Sequence, residues 1–177
     1  MSYDLTMFRV PDGQDASLAY HQLIEQEEAE FIDLDSWRKR SISESGRAEM
    51  RRVADALLRW RPTLEEFRPT SPRPCIELTD EDLMVQIHVH DGTAGITMPY
   101  FRDRAQEMME CVTGCIETLK AAAGSSAYDP QLGRVVTSAD LEEMVTQYRW
   151  MDGNLPAMLG HNPKSTANPK KPWWKIW

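Results

Sequence analysis

The stretch Val85-Gln-Ile-His-Val-His-Asp-Gly-Thr-Ala-Gly-Ile-Thr-Met98 alternates apolar and polar residues on both sides of a tight-turn signal. Such alternation is typical of β-strands that bury one face. The dipeptide Asp91-Gly92 favours a hairpin turn, because both residues tolerate the positive φ that such turns require. The stretch therefore predicts a central β-hairpin. Its first strand turns Val85, Ile87 and Val89 inward and Gln86, His88 and His90 outward.

Weaker patterns on either side of the hairpin extend the sheet and cover it. Short alternations at Tyr3–Val10, Cys75–Leu78 and Ala127–Val136 predict additional strands. Apolar residues between 105 and 119 recur with the helical period, which predicts a long helix that ends near Gly124 and packs on the inward face. The sequence thus predicts an α+β fold, with a single antiparallel sheet of about four to five strands covered on one face by helices.

Capping signals and periodicity indicate three further helices. Asp15 or Ser17 begins one that runs to about Ile32. The capping-box spacing Ser41-x-x-Glu44 precedes a second helix that ends at Pro62. Ser138 caps the last helix, which we expect to run to about Met151 and to end at Gly153.

Proline-rich segments separate these elements. Four prolines between 62 and 74 predict an extended surface connector, anchored by Leu64 and Phe67. We expect residues 1–153 to form one domain. Residues 154–177, rich in proline, lysine and tryptophan, are expected to form an extended tail that docks on the domain or on a partner through Trp173, Trp174 and Trp177.

The charge balance narrows the classes of partner. The chain has 28 acidic and 20 basic residues, a formal charge of −8. Residues 161–177 contain four lysines and no acid, so residues 1–160 carry about −12. An acidic body repels nucleic acid and anionic lipid but attracts basic proteins. We therefore expect a protein partner and no nucleic acid.

The acidic residues are densest along the first helix and just beyond it. A solvated helix face and a docking surface for a basic partner both explain this density. The residues that we expect to contact such a partner are Glu25, Glu27, Glu28, Glu30, Asp33 and Asp35, followed by Gln86, His88 and His90.

The alternate histidines of the hairpin also suggest metal chemistry. Residues two apart on a strand share a face, so His88 and His90 have the spacing to present two imidazoles to a metal. A catalytic zinc site needs a third protein ligand, for which Asp91, Glu77 and His21 are candidates. No diagnostic metal-binding motif accompanies the pair. A metal-binding protein or metal-dependent hydrolase is therefore the alternative hypothesis.

Motifs for other kinds of catalysis are missing from the sequence. It contains no Gly-x-Ser-x-Gly and no glycine-rich phosphate loop. Its three cysteines lie in apolar helical or strand contexts, which raise thiol pKa values. The segment Tyr128–Arg134 is better explained by a turn, in which Gly133 takes positive φ. The sequence predicts a protein that is not an enzyme and that has no catalytic residue and no cofactor.

Three short segments resemble parts of small bacterial proteins: Met1-Ser-Tyr-Asp-Leu5, Ile96-Thr-Met-Pro-Tyr100 and Tyr128-Asp-Pro-Gln-Leu-Gly-Arg134. Some of those proteins are similar to the immunity proteins of interbacterial toxin systems, including type VI secretion. The resemblance implies a cytoplasmic α+β antitoxin that binds a cognate toxin and blocks its active site or assembly. Such proteins share no common set of functional residues, so the resemblance assigns none here.

Targeting signals agree with a cytoplasmic expectation. Met1–Val10 does not read as a signal peptide, and no apolar run approaches the ~20 residues of a membrane span. Our first hypothesis is therefore an immunity protein whose acidic surface meets a toxin with a basic active-site surface. A second alternative to it is an adaptor or chaperone whose tryptophan-rich tail captures a secreted client.

Overall fold

The predicted hairpin forms the centre of the observed sheet. A computed structural model describes residues 2–32, 42–67 and 75–158. The turn closes as expected, with Gly92 at a φ of +79° and the His90 N–H donating to the Thr93 carbonyl at 2.9 Å. The strands of the described residues are β1 Tyr3–Arg9, β2 Glu65–Phe67, β3 Ile76–Asp80, β4 Val85–Val89, β5 Thr93–Met98, β6 Ser125–Asp129 and β7 Arg134–Val136.

These strands form one sheet in the order β2-β3-β4-β5-β1-β6-β7, and every neighbouring pair is antiparallel. The α+β class with an antiparallel sheet is thereby confirmed. The described sheet has seven strands, more than the four or five expected. One of the additional strands is β2, which lies inside the segment predicted as a connector. Its three residues are all exposed, so the sequence lacks the alternation of apolar and polar residues by which a strand is recognised.

The helices of the described residues are α1 Ala16–Ile32, α2 Glu44–Trp60, α3 Ala105–Ala123 and α4 Leu141–Met158. Helix α3 matches its prediction and ends at Gly124, which takes the left-handed conformation with a φ of +65°. Helix α2 is capped by Ser43, whose hydroxyl accepts from the Gly46 N–H at 3.0 Å. The predicted capping residue Ser41 lies outside the described residues.

The last helix differs from its prediction at both ends. Thr137, not Ser138, caps a short 3₁₀ turn that leads into α4. The helix then continues through Gly153 to Met158, seven residues beyond the predicted end. A single glycine costs a helix only about 1 kcal/mol relative to alanine, which is too little to end it. Residues 154–158 therefore belong to a helix rather than to the tail.

The core lies between the sheet and helices α2, α3 and α4. The inward residues of β4 and β5 are buried against these helices, as the alternation predicts. Helix α1 packs instead on the opposite face of the sheet, at its β6–β7 end. There Ala19, Tyr20 and Leu23 cover Phe8 and Tyr128. The sheet is thus covered fully on one face and partly on the other.

Candidate interaction surface

The face of the sheet that carries α1 is built from the outward residues of each strand. Strand pairing places these side chains in rows, because directly paired residues of antiparallel strands point to the same side. One row runs Phe67, Glu77, His88, Gly95, Thr6, Tyr128, and the next runs Glu65, Thr79, Gln86, Thr97, Asp4. Side chains on β3, β4 and β5 in these rows are half-buried, and Phe67 is 60% exposed. This face is called the open face below.

The prediction that Phe67 anchors the connector in the core is therefore wrong. Leu64 does, since it is buried with the main core. Pairing of β2 with β3 turns Phe67 and Glu65 toward the open face, while Glu66 points to the helix side and bonds Arg51. The strand register decides this outcome, and a three-residue strand gives no sequence pattern that reveals its register.

The two histidines have different surroundings. The Nδ1 atom of His88 lies 3.7 Å from a carboxylate oxygen of Glu77 on the open face. His90 follows the end of β4 and lines a narrow cleft together with Glu49 and Val53 of α2 and Leu119 of α3. The candidate third ligands lie apart as well. His21 is on α1 beside Tyr128, and the Asp91 carboxylate lies against Gly46 of α2.

Within residues 2–32, 42–67 and 75–158, no group of three or more His, Cys, Asp or Glu side chains is arranged to hold a metal ion.

The predicted acidic surface is described in part. Glu25 is exposed and Glu27 is half-buried on the second half of α1. The side chains of Glu28 and Glu30 lie outside the described residues, as do Asp33 and Asp35 entirely. Tyr20 fixes the helix to the sheet by stacking on Tyr128, with ring centroids 3.6 Å apart and planes 10° apart. The structure therefore places Glu25 and Glu27 on the same side of the sheet as Gln86 and His88.

The bonded arginines of the described residues lie on one side of the sheet, whereas carboxylates lie on both sides. On the seven described strands, the outward positions include the carboxylates of Asp4, Glu65 and Glu77 and no lysine or arginine. Helix α1 has four glutamates and likewise no lysine or arginine. Bonded arginines of the described residues contact the helix-covered side: Arg9 with Glu49, Arg51 with Glu66, Arg52 with the Ala122 carbonyl, Arg61 with Asp80, Arg104 with Glu107, and Arg134 with Asp140.

A shallow trough of about 580 Å³ crosses one end of the open face. Its floor consists of Thr79, Gln86 and Thr97, which are neighbours in one row. Glu81 and Met84 of the β3–β4 turn and Pro99 after β5 form its rim. The outward positions of Thr79 and Thr97 follow from strand alternation, but Glu81 and Met84 belong to an irregular turn. Sequence reasoning therefore identified only Gln86 among these residues.

Tyr3, Tyr100 and Asp129, one from each of the three short segments singled out in the sequence, meet inside the molecule. The Tyr3 hydroxyl donates to the Asp129 carboxylate, and the Tyr3 and Tyr100 rings pack edge to face at 6.3 Å. Asp129 is fully buried and also accepts from the N–H groups of Gln131 and Leu132. Burial raises the pKa of Asp129, and it raises the pKa of Tyr100 to about 12. The bonds from the Gln131 and Leu132 N–H groups to Asp129 hold the β6–β7 turn in place. Gly133 in this turn has the expected positive φ.

Two cysteines of α3 form a buried pair. Cys111 and Cys115 lie on successive turns and hydrogen-bond each other. That bond and burial raise the pKa of Cys115 well above its ordinary value, in agreement with the prediction. The bond from Cys115 lowers the pKa of Cys111, and the positive charge of Arg61 lowers it further, against burial. For Cys111 the prediction of a raised pKa is therefore wrong, because the pattern of one helix shows neither the bond to Cys115 nor Arg61 at the end of α2.

Comparisons with known proteins add no relative. A scan against protein-family models, a search of curated proteins and a search of solved structures each found no match. None of the helices in the described part of the chain combines the length and apolar character needed to cross a membrane. The tryptophan-rich tail, including Trp173, Trp174 and Trp177, lies outside the described residues.

Proposed function

We propose that this chain is a cytoplasmic immunity-type protein that binds a cognate bacterial toxin and neutralises it without catalysis of its own. The observation that supports the proposal is the uneven distribution of positive charge between the two sides of the sheet. Within the described residues, α1 and the open face present carboxylates without a lysine or arginine, while the bonded arginines contact the other side. A surface of one sign is what recognition of an oppositely charged protein uses.

The physical basis is competition for a positively charged site. An enzyme that acts on an anionic substrate, such as a nuclease, needs a basic active-site surface to attract it. Carboxylates at Glu25, Glu27 and Glu77 meet that surface with the same sign of charge as the substrate. Gln86 and His88 supply hydrogen bonds between them, and the exposed ring of Phe67 supplies apolar contact at the other edge. Bound in this way, the open face excludes substrate from the toxin.

Neutralisation in cells tests the proposal. The candidate toxin is the product of the adjacent gene or a protein captured on this chain from its source cells. It is expressed in bacteria, once alone and once together with this chain. We expect bacterial growth to stop when the candidate toxin is expressed alone and to recover when this chain is expressed with it. A charge-reversed variant, Glu25→Lys with Glu27→Lys, should lose most of the protection.

The matched control reverses two exposed glutamates on the helix-covered side, Glu110→Lys and Glu142→Lys. This variant changes the net charge by the same amount but leaves intact α1 and the open face, together called the open side, so it should still protect. A captured protein that is harmless, or one whose toxicity persists with the wild-type chain, contradicts the proposed function. Equal loss of protection in both variants contradicts the role of the open side.

A further inference from the structure

The trough combines apolar walls with a polar floor and one carboxylate. Met84, which is 55% exposed, and Pro99 provide apolar surface at the rim. Thr79, Gln86 and Thr97 provide hydroxyl and amide oxygens on the floor. Glu81 provides a negative charge at the rim, and none of the described residues that line the trough is basic. This combination matches a long side chain that has an apolar stem and a positively charged end.

The polar groups of the trough are available to a ligand. Within the described part of the chain, the side chains of Thr79, Glu81, Gln86 and Thr97 make no hydrogen bond or ion pair. Asp80, the immediate neighbour of two of them, shows the contrast, because it is bonded to Arg61, Thr63 and the Leu83 N–H. The trough therefore holds unused acceptors beside Asp80, whose two carboxylate oxygens are both bonded.

The backbone at the rim is strained. Met84 has a φ of +54°, in the left-handed region that residues with a side chain adopt rarely. Its neighbours Leu83 and Val85 are both fully buried, so the core fixes the chain on either side. The effect is that a large flexible thioether stands exposed beside the floor of the trough, where apolar cover for a ligand is needed. Strain of this kind concentrates at binding sites.

We propose that the trough binds one lysine or arginine side chain of the partner protein, an inference that rests on the proposed function. The methylene stem lies along Met84 and Pro99. The cationic end donates hydrogen bonds to the oxygens of Gln86 and Thr97 and forms an ion pair with Glu81. Asp4, which pairs with Thr97 in the sheet, adds negative potential at the other end. An anionic ligand such as a phosphate is disfavoured by the same charges.

An NMR titration of the full chain tests this assignment with two small probes. N-acetyl-arginine amide carries the cation, and N-acetyl-citrulline amide has nearly the same shape without the charge. We expect saturable shifts of the backbone amides of Thr79, Gln86 and Thr97 with the arginine probe and much smaller shifts with citrulline. Glu81→Gln should weaken arginine binding about twofold to fivefold, which corresponds to the loss of one exposed ion pair. Thr97→Lys should abolish it.

Glu110→Gln on the helix-covered side is the matched control and should leave the titration unchanged. Equal shifts with both probes, or shifts that map to α1 instead of the trough, overturn the inference. This outcome is separate from the neutralisation assay. A trough that fails to bind arginine in a chain that protects cells refutes the trough alone. A trough that binds arginine in a chain that gives no protection supports cation binding there and refutes the proposed function.

Discussion

At the scale of single residues, two buried aspartates differ in what surrounds them. Asp80 ends β3 and accepts from the Arg61 Nε at 2.5 Å, the Thr63 hydroxyl at 2.9 Å and the Leu83 N–H at 2.9 Å. Asp129 ends β6, and its hydrogen-bond donors are all uncharged. Burial by itself raises both pKa values. The Leu83 N–H and Arg61 lower the pKa of Asp80 overall, whereas the pKa of Asp129 stays raised.

Asp80→Asn should destabilise the protein most at neutral pH. It leaves the partly exposed Arg61 guanidinium without its carboxylate and removes an acceptor from Thr63 and Leu83, which together cost about 1–3 kcal/mol. Because the folded-state pKa of Asp80 is lowered, the stability that it contributes is present above the unfolded pKa of ~3.9 and is lost as pH falls through the folded pKa. Urea unfolding at neutral and acidic pH should therefore show the difference between wild type and variant shrinking with acid. A difference independent of pH would contradict the ion pair.

Asp129→Asn should show the opposite dependence on pH. A raised folded-state pKa means that the stability due to protonated Asp129 is present below the unfolded pKa and is lost as pH rises through the folded pKa. The asparagine does not titrate and retains one oxygen for the Gln131 and Leu132 N–H groups. The variant should therefore gain stability relative to wild type between acidic and neutral pH. The same urea series measures it, and a variant that loses stability relative to wild type over that range would refute this reasoning.

At the scale of elements, the contact between α2 and α3 depends on the absence of a side chain. Gly114 of α3 lies directly beneath the indole of Trp60, so a Cβ there would overlap the ring. Gly153 of α4 has open space in the same position. Both glycines are helical, and only their surroundings distinguish them.

Gly114→Ala should destabilise the protein by about 1–3 kcal/mol, because Trp60 must move in a packed interface. Gly153→Ala is the matched control and should stabilise it by up to about 1 kcal/mol through helix propensity. Thermal or urea unfolding measures both. If Gly114→Ala were as stabilising as Gly153→Ala, the close approach of the two helices would be wrong.

Elements with strict patterns were predictable and the others were not. Strand β5 has the predicted bounds and α3 begins at its predicted residue, because alternation and helical period each indicate one structure there. The face on which α1 packs was not predictable, because its period shows an apolar side without showing which face of the sheet it meets. For the same reason the sequence proposed Glu25 and Gln86 as partner contacts without revealing that they lie on one side. The trough combines residues of two strands and a turn, which no local pattern connects.

At the scale of the whole molecule, the asymmetry of charge should govern how fast a partner associates. The open side and the helix-covered side produce different electric fields, because the bonded arginines of the described residues lie only on the second. The net charge of −8 does not show this difference. A basic partner should approach with the open side oriented toward it.

Glu25→Lys with Glu27→Lys should slow association with the captured partner about tenfold at low salt and have a smaller effect at high salt, where charges are screened. Stopped-flow fluorescence or surface plasmon resonance measures the rate. The control variant, Glu110→Lys with Glu142→Lys, should change the rate far less. An association rate that the α1 variant leaves unchanged at low salt would remove this helix from the interface.

The position of β1 between β5 and β6 has a consequence for synthesis on the ribosome. Strand β1, the first of the described strands, has no partner in the sheet until β5 is made roughly 90 residues later, and its second partner, β6, comes later still. At about 5–20 residues per second, β1 waits on the order of 5–20 s with both edges unpaired. Strands β2 to β5 are consecutive in the chain and neighbours in the sheet, so they can pair as they are made, and β1 then adds to the free edge of β5. The same strand joins β2–β5 to β6–β7, so the two parts form one sheet only after β1 has paired on both edges.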